Sequence, residues 1–323
     1  MTTSIRRIFG TICVAAGLLA ASAAQAWPDK PVRIVVGYAA GGAADTGARI
    51  VAEQLQKKYG QAVTIDNKSG AGGRLATDTV AKAEPDGSTL LLMVGGDAVV
   101  AASDPKLPYN LLRDFQFAGT LSVYPLLLAA GVDSRTPTMK SLLEVAQKEP
   151  RSVRYATPGR GTTQHLAGEL IAAQAGLEVV DVPYRGTVAA MMDVVTSRVD
   201  FTVAALGSVR GEIQSGKIKA FAVTSKERMA ALPQVPTVAE FIPGFEVVTW
   251  MGIAAPARTP QAIVDQLSRD LREVMALPAV RERFLTLGFD PQSSTPAELR
   301  TRVEADVARW KTLLSTRKID LNQ

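Results

Sequence analysis

The chain has 323 residues, of which 47% are hydrophobic, and a formal net charge of +5 at pH 7. This length predicts two domains of ordinary size, and the scattered basic residues argue against a nucleic-acid-binding face. The single cysteine is Cys13, so the chain beyond it can form no disulfide and no thiolate metal site.

Residues 1–26 have the pattern of a secretory signal peptide. Arg6 and Arg7 precede a short apolar run over 8–20, and the small residues at 24 and 26 fit the cleavage rule. The run is shorter than the roughly 20 residues that a membrane-spanning helix needs. We therefore expect an exported soluble protein that begins at Trp27, with a net charge of +3 because the leader removes two arginines and no acid.

Short apolar runs alternate with amphipathic helical patterns along the chain. The predicted strands are Val32–Val36, Ala62–Asp66, Thr89–Val94, Leu126–Ala130, Val153–Thr157, Val179–Pro183, Phe201–Ala205 and Lys219–Thr224. This alternation predicts an α/β protein with two doubly wound parallel sheets that are covered by helices on both faces.

The last third of the chain is mostly helical in pattern, and we expect it to pack on the first domain. The chain then crosses between the lobes twice, near 122–126 and 222–228. We expect lobe 1 to comprise 27–124 plus 227–323, and lobe 2 to comprise 125–226. A double crossing makes a hinge, and a hinge between two lobes makes a cleft that can close.

One device occurs twice: a strand, a glycine-rich loop and a helix. The first glycine loop, residues 37–42, lies in "VRIVVGYAAGGAADTGAR", and the second glycine loop, residues 158–162, lies in "VRYATPGRGTTQHLAGEL". The first N–H groups of a helix have no partner within it, and the helix dipole adds partial positive charge there. Two such loops that face each other across a cleft would hold a carboxylate or phosphate from both sides.

Nucleotide, catalytic and metal sites fit the sequence less well. Neither loop contains G-x-G-x-x-G, and "GEIQSGKI" has Ile218 where a P-loop needs Ser or Thr. No G-x-S-x-G elbow occurs, and one histidine without cysteines disfavours zinc. His165, the single histidine, is interpreted as structural or adjacent to a ligand, and Asp45 as the N-cap of its helix.

Several segments together resemble one family, the Bug-type periplasmic receptors of tripartite tricarboxylate transporters. The matching segments recur in family order over almost the whole chain after the leader: "YAAGGAADTGAR", "NKSGAGGRLATDTVAKAEPDGSTLLL", "LPYNLLRDFQFAGTL", "ATPGRGTTQHLAGEL", "VPYRGTVAAMMDVVTSRVDF", "SGKIKAFAVTS" and "VPTVAEFIPGFEVVTWMGIAAPARTP". The resemblance implies a two-lobed periplasmic-binding-protein fold, capture of a small carboxylate and its delivery to a membrane permease.

The resemblance also implies which residues hold the ligand, largely through main-chain N–H groups and ordered water. On the first loop they are Tyr38, Ala39, Ala40, Gly41, Gly42 and Asp45; on the second they are Gly159, Gly161, Thr162, Thr163 and His165; Tyr184, Arg185 and Ala205 would line the second lobe. The first loop departs from the family's aromatic-x-Pro-Gly-Gly, because Ala40 stands at the proline position. Such departures leave the identity of the ligand open.

Two charged residues have alternative interpretations. Asp97 follows the third strand and either faces the cleft, where it would pair with a cationic or donor group of the ligand, or is a solvated loop residue or helix cap. Arg185 either neutralises a second carboxylate through a bidentate contact or is a surface residue.

We therefore expect a monomeric periplasmic solute-binding protein for a dicarboxylate, an amino acid or an aromatic acid. The expected partners are a transporter permease or a sensor protein, with no cofactor, metal or nucleic acid. The alternative is an exported bilobal enzyme, a hydrolase that uses His165.

Overall fold

The computed structural model describes residues 27–321, so the predicted signal peptide and its Cys13 lie outside the described residues. The first segment of the chain contributes four of the six strands of one sheet, together with three helices. These elements are β1 (Val32–Val36), α1 (Ala43–Tyr59), β2 (Val63–Asn67), α2 (Arg74–Ala81), β3 (Thr89–Val94), α3 (Gly95–Ser103) and β4 (Phe115–Pro125).

A second sheet follows, and the chain then returns to the first sheet. The second sheet is built from β5 (Leu127–Gly131), α4 (Met139–Lys148), β6 (Arg154–Thr157), α5 (Thr163–Ala175), β7 (Val180–Pro183), α6 (Thr187–Val195), β8 (Phe201–Ala204), α7 (Leu206–Gln214) and β9 (Ile218–Val223). The returning segment contributes β10 (Val248–Pro256), α8 (Gln261–Ala276), α9 (Pro278–Thr286), β11 (Asp290–Pro291) and α10 (Pro296–Arg317).

Both sheets are mixed rather than parallel. The first has the strand order β11-β4-β10-β3-β1-β2, in which β1 runs parallel to β2 and β3, whereas β10 runs antiparallel to β3 and β4. The second has the order β7-β6-β8-β5-β9, in which β6 runs parallel to its neighbours and β5 runs antiparallel to both of its own. All six residues of β3, "TLLLMV", are buried, as a strand covered on both faces requires.

The eight predicted strands are present, with bounds that differ by at most one residue. The two α/β sheets are as predicted, but the prediction that they are parallel is wrong. In the first sheet it omitted β4, β10 and β11, and in the second the predicted strand β5 runs antiparallel to β8 and β9. Glycines interrupt the apolar runs of β4 and β10: a Cβ on Gly252 would lie 2.9 Å from the carbonyl oxygen of Gly119 on the facing strand. The register between the two strands shifts next to Gly252, as at a β-bulge.

The two chain crossings between the sheets are hydrogen-bonded to each other at Thr224. Its main-chain N–H donates to Leu126 O at 2.9 Å, and its hydroxyl donates to Val247 O at 2.6 Å. In the first crossing the chain passes directly from β4, which ends at Pro125, to β5, which begins at Leu127. The second crossing extends over 224–247. Met229 and Val235 of this segment pack with the second sheet's apolar cluster. We therefore propose that lobe 2 extends to about Val247 rather than 226.

Among residues 27–321, no helix is both long and apolar enough to cross a membrane.

Candidate functional site

Five helices begin around one cavity between the two sheets. Helices α1 and α3 start at the ends of β1 and β3 in the first sheet, and α5, α6 and α7 start at the ends of β6, β7 and β8 in the second. This inner cavity has a volume of about 40 Å³. Its lining residues are Tyr38, Ala39, Gly42, Ala43, Ala44, Val94, Gly96, Tyr124, Pro158, Thr163, Gln164, Gly186, Thr187, Val188, Ser208 and Thr249.

The electrostatic character of the inner cavity comes from these helix starts. Each start presents main-chain N–H groups that have no partner within the helix, together with the positive end of the helix dipole. None of the described residues that line the cavity carries a charge. The arrangement can therefore hold an anion through amides and dipoles, without a salt bridge.

Asp45 fixes the shape of the first glycine loop. One oxygen accepts the N–H of Gly41 at 2.9 Å, and the other accepts the side-chain amide of Asn67 at 3.0 Å. Burial alone would raise the pKa of Asp45, but hydrogen bonds from Arg49, Gly41 and Asn67 outweigh it and lower the pKa. Asp45 is not the N-cap that the sequence suggested: the cap is Gly42, and Asp45 is the third residue of α1.

His165 does the same for the second glycine loop. Its Nδ1 accepts the N–H of Gly161 at 3.1 Å, and its Nε2 lies 3.7 Å from a carboxylate oxygen of Asp181. Burial lowers the pKa of His165 to about 4, even though Asp181 acts in the opposite direction. The imidazole is therefore neutral at pH 7 and carries its proton on Nε2. Thr162 caps the helix by accepting the N–H of His165 at 3.2 Å.

Asp97 repeats the arrangement at the start of α3. It is 3% exposed, and its two oxygens accept the N–H of Val94 at 2.8 Å and the hydroxyl of Thr77 at 2.7 Å. Burial raises the pKa of Asp97 to about 6 against these hydrogen bonds. The residue is neither solvated nor in contact with the inner cavity. Its hydrogen bonds are those of a helix cap, which was the other interpretation of this residue.

The structure brings together some of the predicted ligand-binding residues and not others. Tyr38, Ala39, Gly42 and Thr163 line the inner cavity. Ala40, Gly41, Asp45, Asp97, Gly161, Thr162, His165 and Ala205 lie outside its lining, and Gly159, Tyr184 and Arg185 line a second space.

The lining also includes residues that the sequence patterns did not indicate, among them Gly96, Gln164, Gly186, Thr187, Ser208 and Thr249. For Gly186 and Ser208, a signal was available. Each lies just after a predicted strand of the second sheet, next to the second glycine loop. Thr249 was not predictable, because it lies on β10, which is not among the predicted strands.

The second space is an outer cavity of about 730 Å³ that adjoins the inner one. The two cavities share Tyr38, Ala39, Pro158 and Gly186 in their linings. Arg74 and Arg160 line the outer cavity but form ion pairs with Asp104 at 3.1 Å and Asp181 at 2.9 Å.

Arg185 also lines the outer cavity, with an exposed side chain. The neighbouring Tyr184 hydroxyl donates to Asp193 at 2.6 Å. Within the part of the chain that the structure describes, no group of His, Cys, Asp and Glu residues is arranged to hold a metal ion.

Two α/β lobes are joined by two crossings, and helix starts from both line an inner cavity that adjoins a larger outer one. This arrangement defines a periplasmic solute-binding protein. A family model described as "Tripartite tricarboxylate transporter family receptor" matches residues 47–319. The chain belongs to this family of receptors, which are solute-binding proteins and not enzymes.

Solved structures support this assignment. The chain is similar to the periplasmic binding protein BugD, with 34% identity, a TM-score of 0.86 and coverage of 91% of this chain and 99% of that one. It is also similar to Rpa4515 of R. palustris with adipate (30%, TM-score 0.86, coverage 90% and 98%). A third similar structure is MatC of Rhodopseudomonas palustris with bound malate (30%, TM-score 0.83, coverage 89% and 100%).

The hypothesis of a hydrolase that uses His165 is thereby overturned. The geometry agrees, because Nδ1 of His165 is occupied by a loop amide and its Nε2 faces Asp181 and Glu169 rather than a nucleophile.

Proposed function

We propose that this receptor captures a small carboxylate between its two glycine loops and delivers it to the membrane permease of a tripartite transporter. The observation that carries the proposal is the convergence of helix starts from both sheets on one inner cavity. Because the amides come from both lobes, an anion in the cavity satisfies donors on both sides, and it favours the closed form by that differential affinity.

The ligand class follows from the chemistry of the two cavities. The inner cavity suits one carboxylate group, and the outer cavity, which adjoins it at Ala39 and Gly186, has room for the remainder of the ligand. Arg185, which lines the outer cavity with an exposed side chain, would neutralise a second carboxylate through a bidentate contact. Dicarboxylates such as the adipate and malate of the two relatives are therefore the first candidates.

The proposal includes a location and a partner. The receptor works as a monomer in the periplasm after the segment 1–26 has been removed. The closed surface is what the permease recognises. A sensor protein is the alternative partner for the same surface.

The proposal is tested at Gly42, the N-cap of α1. Its backbone is extended, with φ −77° and ψ 173°, so aspartate and asparagine both fit there and both are good N-caps. Gly42→Asp places a carboxylate where the proposal puts the ligand's, whereas Gly42→Asn adds the same volume without the charge.

A thermal-shift screen of carboxylates on the wild-type protein identifies the probe, and calorimetry then gives Kd for both variants. Gly42→Asp should weaken binding at least about 100-fold, because a fixed like charge at short range costs several kcal/mol. Gly42→Asn should lose much less. Equal losses for the two variants, or normal binding by Gly42→Asp, would contradict the proposal.

A further inference from the structure

The first turn of α7, residues 206–210, bridges the two lobes at the inner cavity. We call it the α7 turn. It follows β8 of the second sheet, yet the hydroxyl oxygen of Ser208 accepts the N–H of Ala43, the first residue of α1 in the other lobe, at 2.9 Å. Ser208 thus occupies one of the amides that a ligand oxygen would otherwise take.

The α7 turn also contacts the first lobe at residues 286–289. A Cβ on Gly207 would lie 3.1 Å from Phe289 Cζ and 3.2 Å from Leu287 Cβ, so the helix backbone itself packs against these residues. The guanidinium of Arg210 donates to the carbonyl oxygen of Thr286. Three contacts, made by Gly207, Ser208 and Arg210, therefore join this turn to the opposite lobe.

A second hydrogen bond between the lobes joins two hydroxyl groups on the wall of the inner cavity. Thr163 of α5 and Thr249 of β10 are hydrogen-bonded through their side-chain oxygens at 3.3 Å, and both are buried. Direct hydrogen bonds from side chains therefore connect the lobes at two separate points of the inner cavity.

We propose that the α7 turn is a closure latch, and that Ser208 is its central positioning residue. Contacts that exist only in the closed form lower the cost of closing, so the empty receptor already populates that form. The apparent affinity rises with the fraction of receptor that is competent to bind. Ser208 still has its own hydroxyl hydrogen to donate to a carboxylate beside Ala43.

Two matched pairs of variants separate the latch from helix stability. Ser208→Ala removes the cross-cleft hydrogen bond, and Ser215→Ala is its control on an exposed residue at the end of the same helix. Gly207→Val drives a side chain against Phe289 and Leu287, and Gly211→Val is its control, because nothing lies within 4 Å of a Cβ there.

The measurement is the distance distribution between two spin labels, one on each lobe, without ligand and with the best carboxylate from the screen. The chain beyond Cys13 has no cysteine, so exposed Lys106→Cys and Lys148→Cys label it cleanly. Calorimetry on the same proteins gives Kd.

The ligand-free wild-type protein should show a substantial short-distance population. Ser208→Ala and Gly207→Val should move it to longer distances and weaken binding, about fivefold for the lost hydrogen bond, whereas both controls should match the wild type. A single long distance in the ligand-free wild type, or a Ser208→Ala distribution identical to it, would overturn the latch.

The latch rests on the proposed two-lobe capture, but the two fail differently. If no carboxylate binds the wild-type protein, the proposed function fails, while the ligand-free distances still decide the latch. If carboxylates bind and the α7 variants leave the ligand-free distances unchanged, the latch alone fails.

Discussion

At the scale of single residues, one device shapes three of the helix starts around the cavity. Asp45, Asp97 and His165 are each the third residue of their helix, and each accepts an N–H from the loop or strand just before it. Such a side chain reaches back over the first turn, as in a capping box. Three polar residues that the sequence offered as ligand partners therefore hold the loops and the start of α3.

The state of His165 gives a direct prediction. Its pKa is lowered to about 4 by burial, so it should remain neutral down to about pH 5. Because it is the single histidine of the chain, its imidazole resonances can be followed by NMR without assignment. A titration midpoint near the ordinary value of 6.5 would contradict the buried, hydrogen-bonded state.

The same shift has a consequence for stability. A histidine whose pKa is lower in the folded state binds its proton more readily when unfolded, so its contribution to stability is complete above pH 6.5. That contribution, up to roughly 3 kcal/mol for a shift of this size, is lost as the pH falls from 6.5 towards 4.

Asp97 provides the opposite case. Its pKa is raised to about 6, so the carboxylate destabilises the fold at pH 7. This cost disappears as the pH falls from 6 to 3.8, the ordinary pKa of an aspartate. Asparagine can accept from Val94 and donate to Thr77, whose hydroxyl also reaches the carbonyl oxygen of Gly73 at 3.3 Å.

Asp97→Asn should therefore be as stable as the wild type at pH 7, or more stable by about 1 kcal/mol, with Kd unchanged within about twofold. Asp97→Ala should lose about 2 kcal/mol, because it leaves buried donors unpaired. Urea denaturation at pH 7 and 4.5, with calorimetry, checks both variants. A loss of more than tenfold in affinity in Asp97→Asn would restore the residue to the ligand site.

At the scale of elements, strand patterns in the sequence predicted most of the framework. Buried runs such as β3 stand out because every residue is apolar. The strands β4 and β10 do not stand out in this way, because Gly119 and Gly252 interrupt their apolar runs where the two backbones lie close together. Antiparallel pairing depends on how the chain returns to the sheet, which local patterns do not encode.

The site was predictable to a similar degree. The two glycine loops carry a local signal, and three of the lining residues come from the first of them. Thr249 reaches the cavity only through the packing of the two lobes, and no local strand pattern marks it.

The packing of α5 on its sheet rests on Gly168. A Cβ there would lie 2.5 Å from Tyr155 Cζ, and the ring is held by stacking on Phe201 at 5.4 Å and by a hydrogen bond to Glu169 at 2.7 Å. Replacing a helical glycine by alanine usually stabilises by about 0.5–1 kcal/mol, and Gly211→Ala should do so, since a Cβ there meets nothing within 4 Å.

Gly168→Ala should instead destabilise the protein by about 2–3 kcal/mol through overpacking. The midpoints of urea unfolding of the two alanine variants give the comparison. If Gly168→Ala is as stable as Gly211→Ala, the close approach of α5 to β6 is not what the structure describes.

At the scale of the whole molecule, binding depends on two lobes that meet around a cavity without charged side chains among its described lining. The outer cavity, which Arg185 lines, adjoins the inner cavity and is the larger of the two. In the function that we propose, the loops supply the affinity for a carboxylate and the outer cavity selects the rest of the molecule. The α7 turn then sets how readily the lobes close.

The most direct test of this account is a crystal structure of the protein with the best carboxylate from the screen. We predict carboxylate oxygens about 2.7–3.2 Å from a main-chain nitrogen in the first turn of α1 and from another in the first turn of α5. A carboxylate that lies beside Arg185 in the outer cavity and touches no amide of either helix would contradict the account.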